Sequence, residues 1–242
     1  MQRTTLATRA RPPIARAPLT RDRVLQAAID LADRHGLEAL TMRRLGSELG
    51  VEAMSLYNHV ADKDDILDGI ADRIAGEFEV PSLTGDWAQE LRRSSRAAHA
   101  VLIRHPWASS LLESRVHLGP ARLRYVDAVI GVLSRAGFSM PTVGQAFTAL
   151  DSHLYGFTLQ EQSWAFDIQD APAAAAAMAE AVAADAFPNL AAMIDAYTAS
   201  PEAFPLDFDF GLDLLLEGLE RELAGSTSIA HHGPMQARGP DA

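Results

Sequence analysis

Nine side chains between residues 41 and 63 have the chemistry to grip a nucleic acid: Thr41, Arg43, Ala53, Met54, Ser55, Tyr57, Asn58, His59 and Lys63. Asn58 carries an amide that pairs with an adenine edge, and the apolar Ala53 and Met54 suit thymine methyl groups. Tyr57, His59 and Lys63 suit phosphate oxygens, contacts that set register rather than sequence. Lys63 is the only lysine in the chain, so a cation there anchors one phosphate. Each residue also has a structural alternative: Tyr57 and His59 as padding between two helices, Met54 as core.

The elements that must position these residues are short helices. Thr20 is placed to cap a first helix, with Val24, Ala28 and Leu31 on one apolar line and Leu25, Ile29 and Ala32 on the next. Gly36 is placed to end it in a left-handed cap. Thr41 opens a second helix that buries Leu45 and Leu49 and stops at Gly50. The spacing predicts a third helix from about Ala53 to His59, with Leu56 and Val60 inward, and a fourth from Lys63 carrying Ile66, Leu67, Ile70, Ile74 and Phe78. Two short helices with a minimal turn at Gly50-Val51 form a helix-turn-helix, which sets one helix in the major groove of DNA.

Beyond Pro81 the periodicity stays helical. Trp87, Leu91, Ala98 and Leu102 mark a fifth helix broken by Pro106, and a short helix follows to Arg115. Pro120 opens a helix that closes at Gly137, and a long one runs from about Pro141 to Phe166. Residues 171–186 are alanine-rich and fit either helix or loop. Pro188 to Ser200 reads as a short helix, and Leu206 to Leu223 as one with Phe208, Leu212, Leu215, Leu219 and Leu223 in line, widened by Phe210, Leu214 and Leu216. No segment alternates as a strand does, so the expected fold is all-α. The expected organisation is a basic flexible tail (1–19), a three-helix helix-turn-helix domain with its supporting fourth helix (20–79), a larger helical domain (80–224) and a disordered tail (225–242).

Net charge is −11 over 242 residues, which argues against nucleic acid until its distribution is read. Residues 1–44 hold nine arginines against four carboxylates, and the acidic excess lies beyond them. The basic leader is either a solvated tail or an arm on DNA. Cysteine is absent, which excludes disulfides and thiolate metal sites. No apolar run is long enough to span a bilayer and no signal-like stretch opens the chain, as expected of a cytoplasmic protein without a membrane partner.

Residues 20–74 resemble the DNA-binding domain of the tetracycline-repressor (TetR) family. The resemblance rests on Ala28, Gly36, Thr41, Arg43, Leu45, Leu49-Gly50-Val51, Leu56-Tyr57-Asn58-His59-Val60, Lys63 and Ile66-Leu67. It implies a phosphate contact for Lys63 and backbone or base contacts for Arg43, Ser55, Tyr57 and His59. The remainder is similar to the ligand-binding and dimerisation domain of the tetracycline-repressor branch through Trp87 to Leu91, Val116-His117-Leu118-Gly119, Ala136-Gly137-Phe138, Gly156 with Gln160, and Phe210 to Leu219. The implied molecule is a homodimer on a palindromic operator, its long helices 141–166 and 206–223 forming a four-helix interface.

Such a regulator needs a second, small-molecule site. Ser94 and Ala98 are small residues in the stripe of the fifth helix, and either meet bulky partners or leave room for a ligand. His117, His153, Gln160 and Trp164 are the other candidates. In tetracycline-binding members the histidine of the 116–119 run holds the drug's magnesium and an acid on the long helix supports it. Gln160 at that position is a poor ligand for a hard dication, so no metal or cofactor is expected and the effector is expected to be largely apolar. Transcriptional activation, or control by a protein partner, fits the same fold. A helical enzyme using His99, His105, His117 or His153 is a distant alternative, because no metalloprotease histidine pair, glycine-rich phosphate loop or serine elbow is present.

Overall fold

The computed structural model describes residues 18–163, 171–200 and 206–230. Among them every regular element is helical, as the periodicity requires. The first helix, α1 (Arg21–His35), starts where Thr20 Oγ1 accepts the Arg23 N–H at 3.2 Å. Its buried face is Val24, Leu25, Ala27, Ala28, Ile29, Leu31 and Ala32. Gly36 ends it with φ 77° and ψ 162°, a positive φ but an extended ψ. The expected left-handed helical cap is therefore replaced by a sharper exit into the single turn Leu37–Ala39.

Thr41 Oγ1 accepts the Arg44 N–H at 3.2 Å and opens α2 (Met42–Leu49), which Gly50 closes in the left-handed conformation, φ 67° and ψ 36°. The third helix, α3, spans only Ala53–Leu56, shorter than its sequence predicts. Residues 57–59 continue as turns, with His59 N–H on the Leu56 carbonyl at 2.9 Å and Val60 N–H on the same oxygen at 3.1 Å. The helix tightens there into i→i−3 bonds, and the chain then extends at Asp62 (φ −161°), which caps α4 (Lys63–Ala75) through the Asp65 N–H at 2.8 Å. Leu45, Leu56, Val60, Ile66, Ile70 and Ile74 close over the inner face of α1. Leu49 is only half-buried, and Phe78 is buried beyond the end of α4.

Asp86 caps α5 (Trp87–Arg104) by accepting the Gln89 N–H at 2.9 Å. Then follow α6 (Ala108–Ser114), α7 (Pro120–Ala136), α8 (Met140–Ser163), α9 (Ala171–Ala181), α10 (Pro188–Ala199) and α11 (Phe208–Ala230). Pro120 sits in the first turn of α7, where its missing N–H costs nothing, and Gly137 ends that helix at φ 104°. The alanine-rich segment is helical in α9, which lies against α10. The sequence predicts a tail from Gly225, but α11 continues to Ala230: one interior glycine costs a helix only about 1 kcal/mol.

α5 is central, packed on α7, α8 and α11. α4 rests on α6 and α7, so one contiguous core runs from Val24 in the head to Leu216 in α11. Leu212 and Leu216 are buried, whereas Phe210 and Leu214 stand 66% and 53% exposed on the outer face of α11. No described helix is long and apolar enough to cross a membrane.

Candidate DNA interface and effector cavity

The α2–α3 unit displays most of the nucleic-acid candidates outward. Met54 is 72% exposed and so is not core; Tyr57 is 46% exposed, and Arg43, Asn58 and Lys63 are also open to solvent. Ala53, Ser55 and His59 are half-buried, and Thr41 is exposed with its hydroxyl engaged as a cap. The close approach of α2 to α3 depends on Gly46, which is buried and was not singled out by the sequence pattern. A Cβ there would lie 3.0 Å from the Val51 carbonyl oxygen and 3.1 Å from the Ala53 nitrogen.

Acids crowd Lys63 in sequence, yet the fold occupies them elsewhere. Asp62 caps α4. Both carboxylate oxygens of Asp65 accept from Arg21, each at 2.7 Å, and one takes the Ala61 N–H at 2.9 Å. The Arg21 guanidinium, then that backbone hydrogen bond, hold the Asp65 carboxyl below the usual carboxylate range. Asp64 and Asp68 both accept from Arg115, at 3.0 and 2.6 Å. The field at the reading surface is thus less negative than the residue count implies.

That last pair belongs to a latch between α4 and the helical domain. Asp72 Oδ1 accepts the Ala121 and Arg122 N–H groups at 2.8 and 3.1 Å, so a residue of α4 caps α7 from another element. Gly119 lies against Asp72 so closely that a Cβ would overlap its carboxylate. On the other side Asp33 of α1 accepts from Trp107 Nε1 at 2.6 Å and contacts His105 Nδ1 at 2.8 Å. Asp72→Ala is expected to cost about 1 kcal/mol as a lost cap, lowering the melting temperature by roughly 2–4 °C. Hydrogen exchange should speed up in the first turn of α7 and hold elsewhere in it; uniform exchange would contradict the capping role.

The effector candidates do not converge. Ser94 and Ala98 are fully buried, and the Ser94 hydroxyl donates to the Glu79 carbonyl at 2.6 Å, so at Ser94 the stripe is filled by protein. His117 and Gln160 are exposed. Neighbouring Glu161 is hydrogen-bonded to His99 Nε2 at 2.9 Å. His153 Nε2 donates to the Phe208 carbonyl at 2.9 Å, and its ring stacks on that phenyl group with centroids 4.8 Å apart. Trp164 lies outside the described residues. Among the described residues no three histidine or acidic groups gather as a metal would require.

A small, half-open cleft lies instead between α5, α7 and α8. A cavity of about 20 Å³ is lined by Leu91, Ser95, Tyr125, Phe147, Asp151 and Leu154, among others. Burial first, then repulsion from Glu113, pushes the Asp151 carboxyl up to about 6. Its signal in the sequence was an acid four residues after Phe147 and four before Tyr155, inside the apolar stripe of the long helix. A raised carboxyl favours the fold while protonated and opposes it once ionised, so the penalty is absent at low pH and full above about 6. Asp151→Asn is expected to raise the melting temperature by a few degrees at about pH 8, less at about pH 5, and hardly at about pH 4. An equal gain at all three would show that the carboxylate is solvated.

Residues 24–70 match the family model described as bacterial regulatory proteins, tetR family, and residues 81–223 match the tetracyclin repressor-like C-terminal domain. The chain belongs to the TetR family. The HTH-type transcriptional repressor DrrR1 of Streptomyces coeruleorubidus is 33% identical over 215 residues, covering 84% of this chain and 77% of the relative. Among solved structures, the Streptomyces coelicolor TetR family protein ActR in complex with (S)-DNPA superposes with a TM-score of 0.70 at 29% identity, over 86% of this chain and 99% of that one. BioQ with its double-stranded DNA operator superposes at 0.61 and 25% identity, over 84% and 98%. A ligand-responsive, DNA-binding transcriptional repressor is the function these matches support. The TetR family is one of regulators, not enzymes.

Proposed function

We propose that this TetR-family protein acts in the cytoplasm as a homodimer that holds a palindromic operator through its two copies of α3 and leaves it when a largely apolar small molecule enters the helical domain, with no catalytic step. The observation that carries this reading is the outward row of Met54, Tyr57, Asn58 and Lys63 along α3, the turn after it and the first residue of α4. The DNA contacts are Thr41, Arg43, Ala53, Met54, Ser55, Tyr57, Asn58, His59 and Lys63, the last at the first residue of α4, where helix N–H groups also favour a phosphate. The dimer face is α8 with α11. There an open groove of about 360 Å³ runs past Gln145, Ala149, Leu215 and Gly218, and at Gly144 and Gly218 an added Cβ would meet nothing within 4 Å. A second copy of the same two helices fits such a face under two-fold symmetry.

Release follows from linkage: the effector must bind one arrangement of the heads better than the other. The Asp72 and Arg115 latches join α4 to α6 and α7, so a shift there re-aims each head. Half-sites on one face of B-DNA lie about 34–36 Å apart, and a few ångströms of mismatch breaks simultaneous engagement. Lys63→Ala is expected to weaken binding to all duplexes alike and to reduce the salt slope by about 1. Fluorescence anisotropy across a salt series measures both, and an unchanged slope would remove the assigned phosphate contact.

A further inference from the structure

Among the described residues, Asp151 is an acid with no ion-paired cation: Arg122 acts on it only through space. Glu113 of α6 faces it with like charge, and Arg122 of α7 is the cation acting on it, with the Tyr125 and Tyr155 hydroxyls as its other titratable neighbours. Arg122, however, is committed: one guanidinium nitrogen donates to the Leu112 carbonyl and another lies 3.8 Å from Glu113. Among the described residues no donor hydrogen-bonds the Asp151 carboxylate. The same cavity offers it the rings of Tyr125 and Phe147 and the side chains of Leu91 and Leu154. A largely aromatic and aliphatic space, with the Ser95 and Tyr125 hydroxyls and one under-compensated carboxylate, is complementary to a positive charge on a ring-bearing body.

We propose that the effector is an amphiphilic cation: an apolar, ring-containing molecule whose protonated amine pairs with Asp151. The inference rests on reading the space between α5, α7 and α8 as the effector site. At about 20 Å³ that space admits roughly one water, so the ligand must part the three helices to enter. α7 begins at the cap supplied by Asp72 of α4, so parting it pulls on the DNA-reading head. The ligand then binds the opened arrangement alone, which is the differential affinity that release requires.

The test uses the full-length protein and two matched probes, naphthylethylammonium and its neutral analogue naphthylethanol, with binding measured by calorimetry. The wild type is expected to prefer the ammonium by about tenfold or more, and Asp151→Asn to abolish that preference. In the wild type the ammonium affinity is expected to fall as pH drops through about 6, where the free carboxyl takes up its proton. This second measurement stands even if the variant folds poorly. Equal binding of the two probes to the wild type, or a preference that survives in Asp151→Asn, overturns the cation assignment and leaves the cavity as the effector site. Binding of neither probe overturns the assignment and the cavity reading together. Repressor function is measured separately, by operator binding, so its failure is not confused with either.

Discussion

Gly46→Val is expected to reduce operator affinity to the level shown for random duplex, a loss of about 10³-fold or more. The clash is steric and local. A Cβ at residue 46 meets the Val51 oxygen and the Ala53 nitrogen, both backbone atoms that cannot swing aside as a side-chain tip can. The added methyl groups push the start of α3 away from α2, and α3 has only four helical residues with which to recover its angle. Base contacts depend on hydrogen-bond geometry, so a displaced helix keeps phosphate attraction and loses sequence discrimination. The helical domain, remote from residue 46, should keep its melting behaviour. Anisotropy titrations with operator and random duplexes measure the effect; retained discrimination would mean that α3 does not read the bases.

Leu214→Glu is expected to separate the protomers and, through loss of the second head, to weaken operator binding by about 10²–10⁴-fold. Leu214 is 53% exposed and lies one helical turn from Phe210 on one side and Gly218 on the other. Such a line of outward apolar and small residues along α11 is unexplained in a lone protomer. In a two-fold dimer the substitution places two carboxylates in one interface, uncompensated and facing like charge. The isolated fold should tolerate the change, because Leu214 is outside the core formed by Phe208, Leu212 and Leu216. Sedimentation velocity reads the assembly state. A variant that remains dimeric and binds normally would move the interface elsewhere.

The parts of this molecule that could be read from the sequence are those whose chemistry is local. Thr20, Thr41, Gly50 and Gly137 act within four residues of themselves, and each ends or begins a helix as its type demands. Apolar spacing found the buried face of α1 because every residue of that face serves one core. What escaped is set by partners distant in the chain. Asp72 caps a helix 49 residues away, and nothing around residue 72 announces it. α3 tightens into i→i−3 bonds after Leu56, where the apolar spacing of Leu56 and Val60 fits a longer helix equally well. The sequence leaves Ser94 open between a close partner and space for a ligand, and the choice rests on the distant Glu79 carbonyl, which takes its hydroxyl. Phe210 and Leu214 joined the apolar stripe of α11 by type, yet the fold turns them outward, because periodicity marks an apolar face without saying whether this chain or a second copy covers it.

We propose that two copies of Ala53–Leu56 read DNA together. Selection of bound duplexes from a random-sequence pool by the purified full-length protein tests it directly. The expected product is a family of palindromes with identical half-sites centred about one helical turn, or a multiple of it, apart, each bound by two protomers. Recovery of no common sequence, or of single asymmetric sites each held by one protomer, would contradict it.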